Sequence, residues 1–119
     1  MNAPIKIQSV WTIRALHDGK RCFAQEYLES LPERDRKKLM ALLRRASQYG
    51  PRKNKQKFRK LEGDIFEFKS FQDRLYWFYQ PNNTIVLTHG SRKKADRADR
   101  AEIDRATDLM SRYLEDEGG

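Results

Sequence analysis

Two rhythms of hydrophobic residues run along this chain, and the switches between them outline its elements. Ile5–Ile13 partly alternates and is rich in β-branched and aromatic residues, which predicts a strand. His17-Asp18-Gly19-Lys20 closes it with turn chemistry. Phe23, Tyr27, Leu28 and Leu31 then recur at helical spacing. Ser30-Leu31-Pro32-Glu33 offers a serine cap, a proline in the first turn and a glutamate three residues on, the start of a second helix. That helix carries Leu39, Leu42, Leu43 and Ala46 on one face and stops at Gly50-Pro51. Three apolar-aromatic runs follow: Lys60–Leu61 leading into Ile65–Lys69, then Arg74–Tyr79, then Thr84–His89. Turn residues separate them, so an antiparallel meander is expected. Ile103, Ala106, Met110 and Tyr113 share one face of a last helix, and residues 115–119 should fray. The order β-α-α-β-β-β-α predicts one α+β domain over 1–119, its helices on one side of a small sheet.

Composition sharpens this outline. Charged residues make up 35% of the chain, above the roughly 25% of an ordinary domain, yet the 11% aromatic content suits a folded core. Lys and Arg exceed Asp and Glu by 25 to 17, a net charge of +8, so an acidic partner is expected. One cysteine, Cys22, excludes an internal disulfide and a cysteine-based zinc site, and no metal site or cofactor is expected. The N-terminus lacks the pattern of a secretory signal, and no apolar run is long enough for a membrane span. A cytoplasmic setting follows as the expectation.

The positive charge is concentrated. Arg44, Arg45, Arg52, Lys53, Lys55, Lys57, Arg59 and Lys60 lie together with no acidic residue between Arg44 and Lys60. Such a cluster suits a phosphate backbone, whereas the plainer alternative is a solvated connection. Arg74 opens a strand on the same face as Tyr76 and Phe78, with Lys69 across a tight hairpin. A guanidinium there can hold a phosphate with its planar fork; the structural alternative is a salt bridge to Glu67 or Asp73. His89 ends the last strand just before Arg92, Lys93 and Lys94. Those cations favour a neutral imidazole able to accept a proton, although a histidine at a strand end is commonly structural.

In order, Lys60–Lys69, Arg74-Leu75-Tyr76-Trp77-Phe78, Ile85–Lys94 and the Glu102-Ile103…Ala106 helix resemble the HigB-like, phage-derived branch of the RelE/ParE toxin superfamily. The family pattern is a K-L-x-x-x-I/L-x-E-L-R strand, an arginine-led strand, a V-L-L-H-G-F-x-K-K strand and a helix with E-I-x-x-A. The resemblance spans nearly the whole chain. Ser91 replaces the usual phenylalanine, Lys69 the usual arginine, and Ala98-Asp99 the usual threonine-proline.

The resemblance implies a RelE-like fold with two N-terminal helices on a twisted sheet and a basic concave face. It also implies an endoribonuclease toxin that cleaves mRNA on the ribosome without metal, held in check by a helix-turn-helix antitoxin encoded beside it. On that reading Arg74 clamps the phosphate and Lys93 with Lys94 match the family's paired lysines; together with His89, singled out by its own neighbours, they carry the chemistry. Arg52, Lys53, Lys55, Lys57, Arg59, Lys60 and Lys69 contact RNA. Some relatives transfer protons through a histidine or tyrosine near the C-terminus; this tail offers only Tyr113, which its helical spacing assigns to the core. The competing readings are a ParE-like inhibitor of a protein such as gyrase and a noncatalytic RNA-binding module.

Overall fold

The computed structural model describes residues 10–51, 58–93 and 99–118. Its elements are β1 (Thr12–Ala15), α1 (Phe23–Ser30), α2 (Glu33–Tyr49), β2 (Phe58–Glu62), β3 (Ile65–Ser70), β4 (Asp73–Gln80), β5 (Thr84–Arg92) and α3 (Arg100–Gly118). The strands form a single sheet in the order β1-β5-β4-β3-β2. β1 runs parallel to β5, and the other three pairings are antiparallel.

Several boundaries depart from the sequence pattern for identifiable reasons. Residues 5–9 of the predicted first strand lie outside the described residues; among those described, β1 begins at Thr12, because the backbone of Trp11 is tied to α2. Its N–H donates to the Ser47 carbonyl at 3.0 Å, and the Ser47 hydroxyl donates to the Trp11 carbonyl at 3.2 Å. Gly50, which ends α2 at a φ of +79°, lies against the same indole; a Cβ there would stand 2.6 Å from Trp11 Nε1. Ser30 does not cap α2. Pro32 holds the cap position, and the Ser30 hydroxyl instead donates to the Tyr27 carbonyl at 2.6 Å, closing α1. Phe58–Glu62 is a strand of its own, so the meander has four strands where three were expected. The basic residues Arg59 and Lys60 had disguised its alternation. α3 also continues through Glu115 and Asp116, since nothing in that run breaks a helix before the terminal glycines.

The largest departure concerns layering. α1 and α2 cover one face of the sheet, packing Ala24, Leu28, Leu39, Leu43 and Ala46 against Phe68, Leu75, Trp77, Ile85 and Leu87. α3 covers the opposite face, where Ala106 and Leu109 meet Ile65, Tyr76, Phe78 and Val86. The helices therefore flank the sheet instead of sharing a side. β4 and β5 are apolar on both faces, so each face needs a cover. Tyr113 packs edge-on against Phe78 at 5.7 Å between ring centroids, within this second core. Among the described residues, no helix is long and apolar enough to cross a membrane.

Candidate nucleic-acid interface

Strand alternation and register assemble a charged cluster on the α3 side of the sheet. Arg59 pairs with Glu67, Glu67 with Tyr76, and Lys69 with Arg74. Glu67 is completely buried and is the node of the cluster. Its Oε2 lies 2.8 Å from Arg59 Nη2, and its Oε1 lies 3.7 Å from both Arg74 Nε and Lys93 Nζ. Three cations thus converge on one carboxylate, which among the described residues leaves two positive charges uncompensated. Arg74 and Lys93 are buried, while Arg59 and Lys69 carry the exposed share. Arg74 is further fixed through Nη1, which donates to the Phe71 carbonyl at 2.5 Å and to the Asp73 carbonyl at 3.1 Å.

Burial pushes the Lys93 ammonium below the ordinary lysine range; Glu67 pulls it back up, and Arg59, Arg74 and Lys69 push it further down. The arrangement thus sets an amine whose charged form is disfavoured by burial beside two guanidinium groups. Nothing in the sequence pattern singled out Glu67 beyond a possible salt-bridge partner for Arg74. Its period-two spacing with Lys69, opposite Arg59, was the available signal.

Lys60, the neighbour of Arg59, points to the other face, with Nζ 6.0 Å from the Phe66 ring centroid. It does not join the cluster. Arg52, Lys53, Lys55, Lys57 and Lys94 lie outside the described residues.

The placement of His89 comes from a break in the β4–β5 ladder. Leu75 pairs with Gly90 but Trp77 with Leu87, so Thr88 and His89 together oppose Tyr76. This bulge turns His89 onto the Tyr76 side, where the rings stack at 4.7 Å, and turns Gly90 toward α1. A Cβ on Gly90 would overlap the Tyr27 ring, so only glycine lets helix and strand approach this closely. Tyr27 also donates to Asp73 Oδ1 at 2.5 Å, fastening α1 to the strand that bears Arg74. The Tyr76 hydroxyl, pushed up to about 12 by burial, is 2.8 Å from Ser91 Oγ.

The His89 ring is fully buried, with Nδ1 3.0 Å from Thr88 Oγ1 and Nε2 3.4 Å from Glu102 Oε2. Burial, reinforced by the Arg105 cation, lowers its pKa to about 3. Desolvation of a closed site outweighs a carboxylate on a half-exposed helix face, so the imidazole is neutral near pH 7. A group that holds a proton only near pH 3 is a weak acceptor at neutral pH. Two expectations follow. Between about pH 6.5 and 3 the unfolded chain binds a proton at this position that the folded chain refuses. Stability should therefore fall as pH falls through that window, by up to about 1.4 kcal/mol per unit. His89→Gln should remove this part of the acid loss, as read from denaturant midpoints across pH; an unchanged slope would contradict a buried neutral ring.

The second expectation concerns Glu67→Gln, which strips the counter-charge from Arg59, Arg74 and Lys93. Removing one partner of a buried charge group typically costs about 3–5 kcal/mol. The thermal midpoint should drop and recover partly in sulfate, which can replace the lost negative charge. A variant as stable as wild type would remove Glu67 as the node.

Comparison with known proteins places the chain. The model of a family described as phage derived protein Gp49-like (DUF891) matches residues 26–111. The chain belongs to this family. It is a family of RelE/HigB-type toxins, so the resemblance read from the four motifs holds. The match contains every described member of the charged cluster, from Arg59 to Lys93. Among solved structures, the chain is similar to one from the crystal structure of the toxin–antitoxin complex RelBE2 of Mycobacterium tuberculosis. The identity is 16% and the TM-score 0.47, covering 76% of this chain and 98% of the other. No curated protein sequence matches.

Proposed function

We propose that this Gp49-like toxin is a metal-independent endoribonuclease that cleaves mRNA on the ribosome. The observation that carries the reading is the convergence of Arg59, Arg74 and Lys93 around Glu67, beside Lys69, on one sheet face of a toxin-family member. Cleavage of RNA without a metal needs an aligned 2′-hydroxyl, an acceptor for its proton and fixed positive charge around the phosphate. In this reading the Lys93 amine takes the proton from the 2′-hydroxyl as its oxygen bonds to phosphorus. The bond to the 5′-oxygen breaks, and that oxygen takes a proton from solvent, leaving a 2′,3′-cyclic phosphate. Arg59 and Arg74 neutralise charge growing on the nonbridging oxygens, and Lys69 with the Arg52–Lys57 run contacts the RNA backbone.

His89, expected from sequence as the proton acceptor, is given a different part: its ring supports Tyr76 and the bulge that sets the end of β5. Lys94 keeps its proposed place beside Lys93. The partners in this reading are mRNA, the ribosome and a cognate antitoxin with a helix-turn-helix domain, all in the cytoplasm.

Brief induced expression, followed by primer-extension mapping of cellular mRNA, tests the reading. Growth arrest with new discrete mRNA ends is expected. Arrest with intact mRNA would favour a protein target, and no arrest with retained RNA binding would favour a noncatalytic module.

A further inference from the structure

The β3–β4 turn carries a residue that its backbone disfavours. Ser70 pairs with Asp73, leaving Phe71 and Gln72 as a two-residue loop. Phe71 has a φ of +56°, in the left-handed region, and Gln72 does not share it. A hairpin with positive φ at its first central position favours glycine there, and a side chain with a Cβ is strained. Burial does not offset the strain, because Phe71 is 77% exposed. Asn82 and Asn83, the other positive-φ side chains among the described residues, are of a type that tolerates this region.

The surroundings of the ring are specific. Lys38 Nζ lies 4.2 Å from the Phe71 ring centroid. The ring borders an open depression of about 480 Å³ between α2 and the hairpin, whose cations are Lys38, Arg45 and Lys69. No acidic residue lines it among the described residues. It opens on the α2 side of the sheet and meets the charged cluster of the α3 side at the hairpin end, where Lys69 pairs with Arg74 and Arg74 Nη1 donates to the Phe71 carbonyl.

We propose that this depression is a nucleotide subsite, in which Phe71 stacks on a base flanking the scissile phosphate while Lys38, Arg45 and Lys69 hold the neighbouring phosphates. The inference rests on the endoribonuclease reading and deepens it by naming where the flanking nucleotide sits. An aromatic face among cations is the combination that binds single-stranded nucleic acid, because every base has a face to stack and every linkage a charge to neutralise. An acidic protein segment could use the cations, but it would give no reason to hold a lone ring in a strained, solvent-facing position.

The test uses fluorescence anisotropy at low salt with a short labelled single-stranded RNA, its cleavage blocked by 2′-deoxy substitution. Wild type, Phe71→Gly and Phe71→Trp are compared, with thermal denaturation in parallel. Phe71→Gly relieves the backbone strain, so its thermal midpoint should equal or exceed that of wild type while RNA binding weakens about five- to a hundredfold. Phe71→Trp should bind within about threefold of wild type, since stacking is worth a comparable amount for either ring. A matching RNA with abasic positions should bind wild type and Phe71→Gly alike. If Phe71→Gly binds the intact RNA as well as wild type does, the stacking role is overturned and the ring belongs to a protein-docking surface. If wild type binds no RNA, this inference falls, while the endoribonuclease reading stands or falls separately on mRNA cleavage on the ribosome.

Discussion

Lys93→Arg should leave a folded protein that still binds RNA but cleaves it about a hundred to ten thousand times more slowly, the usual worth of a positioned acid or base. The substitution keeps a positive charge beside Glu67 but replaces an amine that can lose a proton with a guanidinium that cannot. A purely electrostatic Lys93 would tolerate it; a proton-transferring Lys93 would not. The pH dependence separates the two cases further. Burial, with Arg59, Arg74 and Lys69 in support, lowers the lysine against the opposing pull of Glu67. As pH rises through that lowered value, the neutral amine accumulates, so the wild-type rate should climb and level off below the ordinary lysine value of 10.5. The inflection should be missing in Lys93→Arg. Single-turnover rates across pH, normalised to folded protein, decide it: a variant with the wild-type profile would take proton transfer away from Lys93.

Arg74→Ala should lower cleavage about a hundred- to a thousandfold, the typical loss of one fixed donor to a charged transition state. Glu67 would keep Arg59 and Lys93 as partners, so the buried carboxylate stays compensated and the fold survives. The hairpin carbonyl of Phe71 loses its guanidinium donor and is free to meet water. Circular dichroism and a thermal midpoint establish folding, and cleavage per folded molecule gives the result. Arg74→Lys should recover only part of the rate, because an ammonium restores charge without the planar fork. A folded Arg74→Ala variant that cuts normally would make the contact to Glu67 a structural salt bridge and nothing more.

Much of this site was legible in the sequence, because strand alternation is a strict rule. Arg74 sharing a face with Tyr76, and Lys69 facing Arg74 across the turn, followed from period two and a short loop. The same rule, applied to Arg59 and Lys60, separates them onto opposite faces, but their shared charge had grouped them in one basic segment. Other features left no local trace. The stripe of Ile103, Ala106, Met110 and Tyr113 shows that α3 buries a face without showing which side of the sheet receives it. The bulge at Thr88–His89 depends on the register of β4 against β5, and it decides whether His89 faces the α3 side. Glu67 reads as an ordinary strand glutamate until Arg59, Arg74 and Lys93 close over it from three different parts of the chain.

The chemistry of the RNA ends tests the account most directly. Purified protein is incubated with ribosomes carrying a defined mRNA, with EDTA present only as far as ribosome integrity permits, and the new termini are characterised. Attack by the 2′-hydroxyl predicts a 2′,3′-cyclic phosphate upstream of the cut and a 5′-hydroxyl downstream, with yield lost in Lys93→Arg. A 5′-phosphate beside a 3′-hydroxyl, or an intact mRNA with active protein, would contradict it.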